Sequence, residues 1–273
     1  MKNDTAKSQI IGYLQAPFLE IRSTKNSDRC YETHAHPTLS IGFMQDSSTC
    51  FTTPKGSFIL QAGALAVIEP YIQHSCNPIN HTQRSYVMVY LDAHYCMKFQ
   101  ARHFKVSSSS TLLPLHSSLV FHEALFERFK TIILGLIQGY DPLLIENLES
   151  WLEDFFWLYT NSSQTQMYNS TMQDIAFYLC NRLDEPLNLK MLSHRFMMNS
   201  FVLVRQFKKI FGCTPTHYWH DARIHHAKKL LQHNTPLALC AQYCGFVDQS
   251  HFHRFFKRKT AMTPKEYQVN FIQ

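Results

Sequence analysis

Along this chain the spacing of hydrophobic and polar positions changes twice. Up to about residue 100 the apolar positions come in short runs, PFLEIR, TLSIGFM, TCFTT, SFIL, LAVIE and YVMVYL, separated by Pro, Gly, Asn and Ser. Runs of that length with that punctuation predict short strands, and many of them at close spacing predict a barrel or sandwich. From about residue 117 the apolar positions recur at three and four: Leu119, Leu125, Phe126, Phe129, Ile132, Ile133 and Leu136, then, after GYDP, Leu144, Leu148, Trp151, Leu152, Phe155 and Phe156. Such spacing keeps one face of a helix apolar, so a helical hairpin is expected over 117–159. Residues 160–171, TNSSQTQMYNST, have no period, no charge and little aliphatic bulk, which is the composition of a linker. Everything beyond is helical in pattern. The expected division is a first domain over 1–160, a linker over 161–171 and a second domain over 172–273.

The second domain repeats itself. Displacing it by 49 residues superposes Asn199 on Asp248, Arg205 on Arg254, Phe207 on Phe256, Lys208 on Lys257, Lys209 on Arg258, Thr214 on Thr263, Pro215 on Pro264 and Tyr218 on Tyr267. Each copy has the punctuation of two short helices around a turn. Asn188 and Asn199 are the expected caps of the first copy. Thr235 with Pro236, a left-handed Gly245 and then Asp248 punctuate the second. In the second helix of each copy Leu203 with Phe207, or Phe252 with Phe256, stand at i, i+4 and must face inward. Phe201, Val204 and Arg205, or Gln249, Ser250, His253 and Arg254, then face outward beside Ser200 in the first copy. Arginine pairs bidentately with guanine, glutamine with adenine, and apolar groups meet the thymine methyl, so these faces suit base edges in a major groove. Lys208, Lys209, Lys257, Arg258 and Lys259 follow at the far ends, where phosphates are the expected partner. Between the copies, 214–232 reads as one long helix that fixes the spacing of two helix-turn-helix units.

Charge sharpens this division. The net charge of +6 is uneven: residues 1–165 contain 12 Lys and Arg against 14 Asp and Glu, and residues 166–273 contain 14 against 6. The basic character thus belongs to the repeat, where it attracts a polyanion. An apolar fraction of 45% with 21 Phe fits a soluble globular chain. No apolar run approaches the roughly 18 residues of a membrane span. The polar start MKNDTAKSQ reads neither as a secretory signal nor as an anchor, so a cytoplasmic place and no membrane partner are expected. The 8 cysteines show no C-x-x-C pair, which favours free thiols over a disulfide framework or a metal cluster. Cys240 and Cys244 share a helix face that reads as core.

Residues 172–270 resemble the DNA-binding domain of the arabinose-regulator (AraC/XylS-type) family of bacterial transcription factors. The resemblance rests on GFVDQSHFHRFFKRKTAMTPKEY and on DARIHHAKKLL and covers about a third of the chain. It implies base contacts by Phe201, Val204, Arg205, Gln249, Ser250, His253 and Arg254, and a regulator that works through RNA polymerase, by family habit as an activator. The sequence departs from the pattern at Val204, where relatives place a polar reader, and at Met197 and Ala261, which replace glycines.

The front of the chain carries HAHPTLSIGFM and GALAVIEPYIQHSCNP, similar to the two cupin segments of many such regulators. That similarity implies a small jelly-roll barrel holding a small-molecule effector, with Arg22, His36, Glu69, His74 and Tyr86 as lining residues. His34, His36 and His74 stand where cupin enzymes place metal ligands, but Ser40 and Ile41 occupy the place of the expected carboxylate. The histidines are therefore read as hydrogen-bonded or pocket-lining, with no metal, no cofactor and no catalytic residue expected. A metal-dependent cupin enzyme with a basic helical appendage is the alternative. The hairpin at 117–159 either packs on the barrel or forms a homodimer interface.

Overall fold

The computed structural model describes residues 7–104, 112–160 and 170–272. Eight strands open the fold: β1 (Lys7–Tyr13), β2 (Ala16–Ser27), β3 (Thr38–Asp46), β4 (Ser48–Thr53), β5 (Gly56–Gln61), β6 (Leu65–Ile68), β7 (Ser75–Pro78) and β8 (Arg84–Asp92). The helix α1 (Ala93–Phe104), the short strand β9 (Leu119–Val120) and the hairpin α2 (Glu123–Gln138) and α3 (Pro142–Tyr159) follow. The helices α4 (Ser170–Cys180), α5 (Leu189–Arg195), α6 (Ser200–Phe211), α7 (Pro215–Gln232), α8 (Leu237–Tyr243), α9 (Gln249–Thr260) and α10 (Pro264–Asn270) complete the chain with a last strand, β10 (Phe271–Ile272). The six expected strand segments are β2 to β6 and β8. Most of the expected linker, residues 161–169, lies outside the described residues.

Two sheets form the barrel, one of seven strands in the order β10-β1-β2-β8-β3-β6-β9 and one of three in the order β5-β4-β7. One alternating set of side chains of β2, β3 and β8, among them Ile21, Ile41, Phe43, Val87 and Val89, joins Phe126, Phe129, Trp151 and Phe155 of the hairpin in one buried cluster. The hairpin therefore covers the barrel with its apolar stripe. Trp151 is fully buried, and its indole N–H donates to Leu125 O at 2.9 Å. Such a partner lets a large aromatic residue be buried without leaving a donor unmet. Asp141 caps α3 by accepting from the Leu143 amide, with Pro142 as the first helical residue, where its missing N–H costs nothing.

The helical domain has two cores. Met172, Ile175, Leu203, Phe207 and Tyr218 pack in one, and Ile224, Leu231, Cys240, Cys244, Phe252, Phe256 and Tyr267 in the other. The long helix α7 contributes to both and is shared by the two units. The two domains are also continuous. Strand β10 pairs in parallel with β1, Ile10 opposite Phe271, and Ile10 is buried within the second helical core. The expectation of an all-helical second domain missed this pairing because a two-residue strand leaves no periodic trace.

Candidate nucleic-acid interface

The caps place the recognition helices. Asn199 accepts from the Phe201 amide at the start of α6, and Asp248 accepts from the His251 amide at the start of α9. Each satisfies a donor that the first helical turn leaves open. Thr235 does not cap α8: Pro236 holds that place without a side-chain hydrogen bond. Gly245 lies at φ +67°, and a Cβ there would stand 2.2 Å from Arg223 Nη2 and 2.7 Å from Leu183 O. That turn therefore requires glycine on both conformational and steric grounds. Met197 and Ala261 occupy the left-handed region at φ 49° and 55° without being glycine.

With Leu203, Phe207, Phe252 and Phe256 fully or almost fully buried, the opposite faces are turned out. Phe201, Arg205, Gln249, Ser250, His253 and Arg254 are exposed, and Val204 is half-buried. Lys208, Lys209, Lys257 and Arg258 are also exposed, Arg258 standing 3.5 Å from Glu32 of the barrel. The structure thus collects the expected base-reading and phosphate-facing groups on two equivalent helix faces.

Lys259 is the exception. Its side chain is 5% exposed, its ammonium lies 3.0 Å from Asp221 Oδ1, and it donates to Thr33 O at 2.9 Å. It is turned into the molecule because the last turn of α9 packs on the barrel, so in this arrangement it does not face a duplex. Asp221, on α7, accepts from the Ala35 amide at 2.9 Å and from Gln73 Nε2 at 3.1 Å through its other oxygen. Burial raises its pKa, and Lys259 opposes that rise. The terminal carbonyls of α9 are held too. Arg22 Nη1 donates to Thr260 O at 3.0 Å and Arg29 Nη1 to Ala261 O at 2.8 Å, cations placed where a helix dipole favours them. Glu20 accepts from Tyr267 and Gln232. The barrel therefore clamps the rear of the second unit and leaves the face of α9 that carries Gln249, Ser250, His253 and Arg254 exposed. Sequence patterning missed Asp221, Glu20 and Arg29, lone polar residues whose partners Ala35, Tyr267 and Ala261 stand 186, 247 and 232 positions away.

The expected effector residues separate. Arg22 and His36 line a small cavity between the barrel and α7, together with Tyr90, Asp221, Lys228 and Lys259. His74 and Tyr86 line a second small cavity inside the barrel, of about 40 Å³, with Met44, Ile68, Arg84 and Met88. Glu69 lines neither. Its carboxylate accepts from the Leu115 amide at 2.9 Å and lies 3.8 Å from Lys55 Nζ, so it is engaged in holding the 115 segment. Arg84 is 1% exposed and donates through Nη2 to Arg29 O and Cys76 O, while its buried Nη1 has no acceptor. His34, His36 and His74 stand together at the meeting of the two cavities, with ring centroids 4.5 Å apart for His34 and His74 and 4.7 Å for His36 and His74. Burial holds His34 and His36 well below the ordinary imidazole value and His74 at about 4, so all three rings are neutral near pH 7.

Comparison with known proteins agrees with this geometry. Residues 192–270 match the model of a helix-turn-helix domain. The chain is 25% identical over 263 residues to YbfI of Bacillus subtilis (strain 168), an uncharacterized HTH-type transcriptional regulator, covering 92% of this chain and 90% of that one. It is 36% identical over 91 residues to RhaR of Salmonella schwarzengrund, an HTH-type transcriptional activator, a match spanning 33% of this chain and only 32% of that one. The crystal structure of unsaturated fatty acid bound wild-type ToxT from Vibrio cholerae strain SCE256 superposes with a TM-score of 0.64 at 14% identity, covering 98% of this chain and 96% of that one. This last likeness shows a shared two-domain fold and no more. With two helix-turn-helix units on a shared long helix behind a β-rich domain, the chain carries a helix-turn-helix domain and is similar over most of its length to an HTH-type transcriptional regulator.

Proposed function

We propose that this regulator binds specific DNA sequences by placing α6 and α9 in successive major grooves on one face of the duplex, and that a small molecule in the barrel controls that binding. One observation carries the reading: Arg205 and Arg254 stand at equivalent positions of a repeat, both exposed, above pairs of buried aromatic or aliphatic residues. Arginine at such a place discriminates guanine by two hydrogen bonds. Lys208, Lys209, Lys257 and Arg258 meet phosphates and set the register. The outcome at a promoter is activation, as the name of the RhaR relative suggests, exerted through RNA polymerase in the cytoplasm.

The effector is an acid with an apolar body. The barrel cavity offers Met44, Ile68 and Met88 to the body and the unpaired Nη1 of Arg84 to a carboxylate. The ligand named with the ToxT structure has the same chemistry. A homodimer formed through 117–159 uses the part of the hairpin turned from the barrel, where Leu143 and Trp157 are 61% and 73% exposed. The enzyme alternative has no support among the relatives, which are regulators.

Gel-shift titration of the full chain on DNA fragments selected from a random pool tests the reading. Affinity should fall steeply between about 50 and 200 mM salt, because neutralised phosphates release counterions. An affinity independent of salt, or a selected pool with no sequence in common, would count against it.

A further inference from the structure

We propose that residues 29–35, which join β2 to β3, are an autoinhibitory strap: they mask the phosphate-facing end of α9, and a ligand entering the barrel cavity lifts them off it. The inference rests on the DNA-binding reading and names the element through which the cavity acts on that binding.

One side of the strap holds α9. The Glu32 amide donates to Arg258 O at 3.4 Å, and the Glu32 carboxylate stands 3.5 Å from Arg258 Nε. Thr33 O accepts from Lys259 at 2.9 Å, and Arg29 Nη1 donates to Ala261 O at 2.8 Å. Of the three cations that end α9, Arg258 and Lys259 are thus engaged and Lys257 is left to a duplex. In the repeat Lys209 matches Arg258; it is exposed, and among the described residues no carboxylate pairs with it. The strap therefore sets the second unit apart from the first. A duplex that approaches the end of α9 meets the negative charge of Glu32, and must separate it from Arg258 before a phosphate takes its place.

The other side of the strap is a wall of the barrel cavity. Tyr31 and His34 line that cavity, and the Tyr31 hydroxyl is hydrogen-bonded to the hydroxyl of Tyr86 on β8. The Tyr31 amide donates to Asn77 Oδ1 at 2.7 Å, and Arg84 Nη2 donates to Arg29 O at 3.2 Å. A cavity of about 40 Å³ has room for a few waters, so a ligand with an apolar body enters only by moving a wall. The rest of the lining, His74 excepted, stands on strands that are hydrogen-bonded into the two sheets. The strap is tied to the barrel backbone by the single bridge between His34 and His74. It is the wall that yields, and Glu32 moves with Tyr31 because the two are adjacent in the chain.

The test measures affinity for the selected DNA site against salt, using the full unaltered chain, Glu32→Gln, Arg258→Ala and the double variant, each shown folded by circular dichroism. Glu32→Gln should bind about two- to fivefold more tightly, the range that release of an exposed ion pair supports. Its salt slope should steepen by about 0.9, as one more phosphate is neutralised. Arg258→Ala should cost more in the Glu32→Gln background than alone, because only there is Arg258 released to a phosphate. Unchanged affinity and slope in Glu32→Gln, or an equal cost of Arg258→Ala in both backgrounds, overturns the mask. Tyr86→Phe removes the strap's hydroxyl partner inside the cavity and should speed hydrogen exchange at the Glu32 amide, read without DNA; an unchanged rate overturns the link to the cavity. Binding of the unaltered chain to its selected site with no gain in Glu32→Gln refutes the mask alone, whereas a chain that selects no DNA refutes the regulatory reading and the mask with it.

Discussion

Lys259 and Asp221 meet at 3.0 Å inside the molecule, with side chains 5% and 4% exposed, one on the end of the second recognition helix and the other on the helix that joins the two units. A buried charge is tolerated only when paired, and removing one partner leaves the other to bear its desolvation. Asp221→Ala should therefore lower the unfolding free energy by about 3–5 kcal/mol, read by urea denaturation. Asp221→Leu combined with Lys259→Met should recover most of that loss. A neutral single variant would mean that solvent reaches the pair.

The two classes of cation on α9 should separate by experiment. Arg254→Ala is expected to cost about 1–3 kcal/mol, concentrated at one base position, whereas Lys257→Ala should weaken binding to every sequence and reduce the salt slope by about 1. Gel shifts on the selected site and on random DNA, at several salt concentrations, measure both. An Arg254→Ala loss of equal size on random DNA would reassign that side chain to a phosphate.

Met197 holds a left-handed backbone at φ 49° with its side chain 94% exposed, so it bears the conformational cost without packing in return. Met197→Gly should raise stability by about 0.5–1 kcal/mol. Thermal unfolding would show this as a higher midpoint with DNA binding unchanged, and a lowered midpoint would refute it. Ala261 is a poorer choice, because it is 5% exposed and its carbonyl accepts from Arg29.

Acid should weaken the fold through α7. Burial lowers His220 to about 4 and His225 to about 3, with Arg223 adding to the first shift and Lys229 and Lys228 to the second. Their folded values lie below the ordinary value of about 6.5, so the stability they contribute is complete above that pH and is lost as pH falls through the folded values. Urea midpoints should decline from pH 6.5 towards 4. His220→Gln with His225→Gln should flatten that decline, and an equal slope in the double variant would contradict it.

What sequence reveals and what it hides follow from how local each signal is. The caps Asn188, Asn199 and Asp248, the glycine at 245 and the inward Phe207 and Phe256 are legible because each acts within a turn or two of itself. The reading faces of α6 and α9 follow from them. Strand β1, strand β10 and helix α1 escaped because a short or weakly periodic segment becomes regular only when it is packed. The clamp escaped for a related reason. Nothing near Asp221 in the chain announces Ala35, Gln73 and Lys259, and Lys259 looks identical in sequence to its exposed neighbours Lys257 and Arg258. Glu69 misled in the opposite way, since a carboxylate between two barrel segments suggests a pocket while its actual partners are Leu115 and Lys55.

Chemical interference footprinting of the selected site, with the unaltered chain, Arg205→Ala and Arg254→Ala, tests the central claim most directly. Two protected guanine-bearing patches on one face of the duplex, about one helical turn of 10–10.5 base pairs apart, are expected, each variant losing a different one. Both variants losing the same patch, or neither losing any, would contradict the placing of α6 and α9 in successive major grooves.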